Sequence, residues 1–186
     1  MEAISHIDHI TYVATLDRET AFVSEWAHLD FRTHVRVETR RFPASHIALT
    51  KGVLPHQPWA IMTGLSVSRD PRSPVNEFVR RYGEGQQHVA YAVAPGTDMD
   101  VLHATLARSG MVFMTGVLTY REGTGAGLRQ MFTAPTRPYG TFVELIQRLP
   151  GPDGEAFAGF DTKNIDDLYE AYDDYSRWLD RAAKSA

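Results

Sequence analysis

No cysteine occurs among the 186 residues, which removes disulfides, thiolate nucleophiles and sulfur-ligated metals together. Long apolar runs are missing too: nothing approaches the roughly 20 residues that span a bilayer. The opening Met-Glu-Ala-Ile-Ser-His lacks the basic and apolar segments of a secretory leader. Basic clusters are also absent, since 19 Lys and Arg stand against 23 Asp and Glu, a net charge of −4. Nothing there would grip nucleic acid or an anionic membrane. These absences predict a soluble, cytoplasmic protein whose partner is a small neutral or anionic molecule, with no nucleic acid and no membrane. Apolar residues are plentiful, at 43%, enough for one domain or two small modules around a shared core. With eight histidines and no thiols, any metal has to be held by imidazole and carboxylate.

The chain reads as a repeat. Ile7-Asp8-His9-Ile10-Thr11-Tyr12-Val13 and Gln87-His88-Val89-Ala90-Tyr91-Ala92-Val93 each place a histidine at the start of an alternating strand, 88 − 9 = 79 residues apart. After the first comes a helical pattern over 15–29, startable by Thr15 or Asp17, then strand candidates at 31–37, 45–50 and 59–67. A linker at 70–74 and a short helix at 75–82 lead to Gly83 and Gly85. The second copy follows the same order: a strand at 87–94, a helix at 99–108 stopped by Ser109-Gly110, and strands at 112–120, 128–133 and 141–148. The glycine-rich 122–127 segment is a hairpin loop; it does not lead from a strand into a helix, so it is no phosphate cradle. The predicted class is α+β: two β-α-β-β-β modules, at about 5–70 and 83–150, forming a half-open barrel as one domain over 1–150. Residues 151–186 supply a loop and an amphipathic helix over 164–183, which packs on the sheet's edge, on a second subunit, or as a lid. A homodimer is expected.

Chemistry concentrates on three residues. His88, Ala90 and Ala92 share one strand face, leaving room beside the histidine, whereas Val89, Tyr91 and Val93 suit packing against a helix. Glu144 lies within the apolar run Phe142-Val143-Glu144-Leu145-Ile146, a costly place for a carboxylate unless it is paired or holds a metal. Pairing with Arg129 or Arg148 is the plainer reading of Glu144. Taken together, His9, His88 and Glu144 suit a 2-His-1-carboxylate facial triad, the ligand set of non-haem Fe(II) oxygenases. The first module's last strand, 59–67, has no Asp, Glu or His. The site should therefore have three protein ligands and open positions for chemistry. His6, His28, His34, His46, His56 and His103 offer no clear acid-base partner of the kind that an extradiol ring-cleaving enzyme needs.

These residues resemble the vicinal oxygen chelate superfamily, and within it the catalytic half of the 4-hydroxyphenylpyruvate dioxygenase family. The resemblance covers most of the chain from Ile7 onward. It is carried by Asp8-His9, Gly85-Gln86-Gln87-His88-Val89-Ala90, Gln130-Met131-Phe132-Thr133-Ala134-Pro135 and Phe142-Val143-Glu144-Leu145-Ile146-Gln147-Arg148, with Gly159-Phe160, Asn164, Leu168 and Tyr169 resembling that family's C-terminal lid. It implies Fe(II), chelation of a 2-oxo acid through its carboxylate and keto oxygens, O2 as co-substrate, and oxygenation of the same molecule. It makes Gln130 a catalytic polar anchor, Phe132 a stacking partner, and Phe142, Asn164 and Ile165 further substrate-binding residues. The sequence also departs from the family. The further pair of modules ahead of the catalytic half has no room here. Ile165 stands at the lid phenylalanine, Pro74 at the glutamine that reads a phenol hydroxyl, and the Pro-x-Asn of the first module's last strand is missing around 62–65. A site without its hydroxyl partners loses discrimination for that hydroxyl, so a different 2-oxo acid is expected. Two alternatives stand beside this: a non-redox metal-dependent isomerase, epimerase or lyase of the same superfamily, and a metal-free small-molecule-binding protein of the resistance type.

Overall fold

In the computed structural model, residues 3–51, 61–121, 125–136, 138–152, 154, 160 and 162–184 are described. The first module runs β1 (Ile4–Val13), a short 3-10 turn (Leu16–Arg18), α1 (Glu19–His28), β2 (Arg32–Glu38), β3 (Ala44–Lys51) and β4 (Ile61–Ser68). After α2 (Pro74–Tyr82), the second runs β5 (Gly85–Val93), α3 (Met99–Arg108), β6 (Leu118–Arg121), β7 (Gly127–Phe132) and β8 (Phe142–Leu149). The helix α4 (Thr162–Lys184) closes the order.

Local chemistry explains the punctuation. The Ser73 side chain accepts from the Asn76 N–H, Pro74 sits in the first turn, and Gly83 at φ 87° ends α2. Pro74 thus serves as a helix starter. Asp98 caps α3 by accepting from the Asp100 and Val101 N–H groups, and Gly110 at φ 99° stops it. Thr15 is not a side-chain cap for the turn that follows it; its hydroxyl and N–H both donate to Glu84, tying the end of β1 to the loop before β5. Among the described residues, no helix is long and apolar enough to cross a membrane.

The eight strands form one sheet in the order β2-β3-β4-β1-β5-β8-β7-β6, curled into a half-barrel. β1 and β5 pair antiparallel at its centre, while each module's last strand runs parallel to its first, β4 beside β1 and β8 beside β5. This order maps one module on the other through an approximate two-fold axis. Registers make the mapping specific: His9 lies opposite Met62 and His88 opposite Phe142, so Gly64 corresponds to Glu144. On the next pair of strands, Ala48 faces Gly64 and His46 faces Ser66, whereas Phe132 faces Glu144 and Gln130 faces Ile146. Ala48 therefore corresponds to Phe132, and His46 to Gln130.

The convex face packs on the module helices, as strand alternation predicts. Phe31, Ile47 and Leu49 meet Phe22, Val23 and Trp26 of α1, and Val93, Met131 and Leu145 meet Leu102 and Leu106 of α3. On the concave face, Val13, Val37, Phe132 and Phe142 form a core with Phe78 of α2 and Ile165, Leu168, Tyr169 and Tyr172 of α4. The first turns of α4 thus lie inside the half-barrel rather than on a sheet edge. Trp178, farther along, is 54% exposed and stacks on Tyr175 with ring centroids 5.7 Å apart.

One strand is shorter than its pattern predicts. Of 112–120, only Leu118–Tyr120 join the ladder within β6. Phe113 makes a single bridge to Thr133, and the Thr115 hydroxyl accepts from the Phe132 N–H. A side chain replaces the ladder bond there, and the edge bends.

Candidate metal centre

His9 on β1, His88 on β5 and Glu144 on β8 point into the concave face. All three are buried, and one ligand atom from each lies within 4.8 Å of the others. The Nε2 atoms of both histidines stand 3.4 Å from Glu144 Oε2, with the rings nearly perpendicular at 81°. Donors each about 2.0–2.2 Å from one ion are separated by about 3–3.5 Å. The spacing fits a single metal ion, and so does the donor chemistry of two imidazoles and a carboxylate.

Both imidazoles are held from behind. His9 Nδ1 bonds Asp8 Oδ1 at 2.8 Å, and the Arg148 guanidinium donates two bonds of 2.8 Å to the same carboxylate. This aims His9 Nε2 inward, and it uses the Asp-His and Gln-Arg ends of two separate motifs as one clamp. His88 Nδ1 meets Gln87 Oε1 at 3.2 Å, and its ring stacks on Phe142 at 5.0 Å and 24°. Arg129 pairs with Asp100 and Arg148 with Asp8, so neither occupies Glu144.

Without an ion, protons do the balancing. Burial disfavours the Asp8 carboxylate, yet bonds from His9 and Arg148 hold its carboxyl well below the ordinary range. Burial likewise opposes charge on His9, but Glu144 and Asp8 raise it to about 9. Burial pushes Glu144 upward and the two histidines outweigh it, giving about 2. His88 is lowered, chiefly by burial. The three ligands thus form a buried imidazolium-carboxylate pair beside a neutral imidazole, and a divalent cation would displace that one proton.

Asp8→Asn tests the clamp, because it keeps the shape and removes the charge that orients His9. Metal affinity should fall by about 10- to 100-fold, measured by competition with a chromophoric chelator. Unchanged affinity would mean that Asp8 does not orient His9.

Beside the triad lies a cavity of about 20 Å³, lined by Thr11, His46, Ser66, Phe132, Phe160, Asn164, Ile165, Leu168 and Tyr169. That volume suits about one water, so a larger ligand would have to displace side chains that line it. Phe160 stands edge-on to His9 and His46, at 5.0 and 5.1 Å. Of the sequence-predicted substrate residues, Phe132, Asn164 and Ile165 line this space, whereas Phe142 backs His88. Gln130 is fully buried and does not line it; the Asn164 Nδ2 group donates to Gln130 Oε1 at 3.2 Å, fastening α4 to β7. Asn164, in the first turn of α4, thus spends its amide N–H on β7.

Sequence reasoning missed His46 and Thr11, while Tyr169, read there as part of the lid, does line the cavity. His46 is 4% exposed, and its Nδ1 lies 3.0 Å from the Ser66 hydroxyl. Burial, then the imidazolium at His9, push it down to about 3, so the ring is neutral. Its Nε2, Thr11 Oγ1, Asn164 Oδ1 and Tyr169 Oη have no hydrogen-bond partner among the described residues. The sequence offered no clear acid-base histidine, and His46 comes to the cavity only through the fold: β3 is the third strand out from β5, and curling of the sheet brings its inward face over the centre. The available signal was Gly64, since a Cβ there would meet His46 Cε1 at 2.8 Å. Of the other histidines, His28 and His34 are exposed, His103 packs on Phe113 at 4.4 Å, and His56 lies outside the described residues.

This duplicated half-barrel is the vicinal oxygen chelate fold. Solved structures similar to it include a variant of 4-hydroxymandelate synthase from Streptomyces coelicolor. The TM-score is 0.70 at 23% identity, over 89% of this chain and 53% of that one. Methylmalonyl-CoA epimerase from Streptomyces coelicolor, in complex with 2-nitronate-propionyl-CoA, gives 0.58 at 22% identity over 78% of this chain and 98% of that one. The epimerase from Mycobacterium tuberculosis gives 0.58 at 19% over 81% and 92%. No protein-family model and no curated protein sequence matches the chain.

Proposed function

We propose that the protein is a non-haem Fe(II)-dependent dioxygenase that oxidatively decarboxylates a 2-oxo acid and oxygenates the same molecule. The observation that carries this reading is the ligand count. Among the described residues three donors converge, and the position related to Glu144 is Gly64, which offers no side chain. His9, His88 and Glu144 would hold Fe(II) through three donors, leaving its remaining side to the oxygens of a 2-oxo acid and to O2. The overall reaction takes one 2-oxo acid and one O2 to CO2 and an oxygenated acid one carbon shorter. Bound Fe(II) would supply the redox chemistry; the remaining work belongs to the side chains. Asp8 and Gln87 fix the two imidazoles, while Phe132, Phe160, Ile165 and Leu168 exclude water. Gln130 acts through Asn164, whose Oδ1 is left to meet the substrate, and Phe142 holds the His88 ring. Protein reconstituted anaerobically with Fe(II) and given aryl and alkyl 2-oxo acids should consume O2 and release CO2 in equal amounts. Absence of O2 uptake with every acid would sink the reading.

A second reading has support in the likeness to methylmalonyl-CoA epimerases and in a neutral imidazole facing the cavity. In it, a base removes a proton beside a carbonyl, and a metal held by His9, His88 and Glu144 would stabilise the resulting negative charge. Exchange of a substrate C–H for deuterium in D2O under argon, without O2 consumption, would mark this chemistry.

A further inference from the structure

His46 and Gln130 are two-fold equivalents, yet they differ in what they face. Gln130 is satisfied by Asn164, whereas His46 keeps Nε2 unpartnered although the residue is 4% exposed. A buried polar atom left so costs free energy unless something outside the chain completes it. Two features aim the ring. Ser66 meets Nδ1 from the neighbouring strand, and the absent side chain of Gly64 provides the space. A Cβ at Gly64 would lie 2.8 Å from His46 Cε1, 3.1 Å from its Nε2 and 3.2 Å from Thr11 Oγ1. The imidazole therefore fills the quadrant that Glu144's counterpart would have used. It is nonetheless outside the set of donors lying within 4.8 Å of one another, so it stands beside the ion without being one of its ligands.

We propose that His46 is a substrate-contacting residue, its Nε2 hydrogen-bonding an oxygen of the bidentate oxygen ligand that chelates the metal. For an oxygen acceptor the ring carries its proton on Nε2, and the Ser66 hydroxyl is placed to donate to Nδ1 in that tautomer. Thr11 Oγ1 and Tyr169 Oη, also unpartnered and lining the same cavity, extend this polar wall opposite the apolar one of Phe132, Ile165 and Leu168. The ligand class follows: a compact molecule with two oxygens for the metal, at least one of them also taking a hydrogen bond from the first module, and an apolar remainder. The inference rests on the metal-centre reading but not on the choice between the dioxygenase and the epimerase-type reading.

The test uses Co(II)-loaded protein, whose visible spectrum reports chelation, titrated with phenylpyruvate and separately with malonate. Wild type, His46→Leu and His46→Gln should each bind one Co(II) with the same affinity. His46→Leu should bind the chelators at least about tenfold more weakly, the worth of a hydrogen bond to a charged group. His46→Gln, which keeps an N–H donor, should recover part of that loss, as a purely structural role would not require. If His46→Leu does not fold, Ser66→Ala carries the test, since it unseats the ring without emptying the site and should weaken both chelators several-fold. Chelator affinity equal to wild type, or loss of Co(II) itself, overturns the proposal. A wild-type response to malonate and not to phenylpyruvate sinks the 2-oxo acid reading and leaves the His46 test standing. A response to neither overturns both.

Discussion

His88→Ala should yield a folded protein that no longer retains a metal ion. After exposure to Fe(II) under argon and gel filtration, elemental analysis should find about one equivalent in wild type and a small fraction of that in the variant. The reason is the lack of redundancy. Among the described residues three side chains converge, and the two-fold equivalent of the carboxylate is Gly64. With one imidazole gone, two protein donors remain, fewer than any stable site of this kind uses. The loss should exceed the roughly 10- to 100-fold typical of removing a supporting partner such as Asp8. Stability should move less, because Glu144 keeps His9 as its charged partner and the ring's main packing is one stacked face on Phe142. A melting curve close to that of metal-free wild type, with no bound metal, is the expected pair of results. Stoichiometric metal in His88→Ala would remove the site from β5.

Arg148→Met should be the most destabilising single change near the centre. The guanidinium is 15% exposed and spans both oxygens of Asp8, itself 8% exposed. Methionine fills similar volume but leaves the carboxylate buried with only His9 beside it. Breaking a buried pair in this one-sided way costs about 3–5 kcal/mol. In a chain of this size that lowers the melting temperature by roughly 6–20 °C. Arg148→Met paired with Asp8→Asn removes charge from both sides and should restore part of the stability, a coupling that a double-mutant cycle measures. Additive effects would mean that the two residues do not act as a unit. Metal affinity should fall in the single variant as well, since the Asp8 carboxylate loses the brace that fixes its angle to His9.

The alternation of apolar and small residues made the centre legible. His88-x-Ala90-x-Ala92 and the isolated Glu144 read directly from period-2 spacing, and both lie on the concave face as that spacing requires. The repeat was legible for the same reason, two histidine-led strands at similar distances from their helices. Three things were hidden. The 112–117 stretch carries strand-like residues, but Thr115 gives the edge a side-chain bond in place of a ladder bond. Asp8 and Arg148 are 140 residues apart and meet only because β1, β5 and β8 lie side by side. His46 has ordinary strand neighbours, and its significance depends on a register with Ser66 and on a glycine on β4. Pairwise distances in three dimensions carry that information, and one-dimensional periodicity does not.

Gly64 has a further consequence. Duplication presents each inward position twice, so a metal-facing slot exists on β4 although no donor fills it. Gly64→Glu combined with His46→Ala would place a second carboxylate across from Glu144 and clear the ring from its path. The ion would then be enclosed by four protein donors with less room for an outside molecule, tighter and chemically quieter. The distance between a reactive centre and a merely structural one, in this chain, is the length of a single side chain.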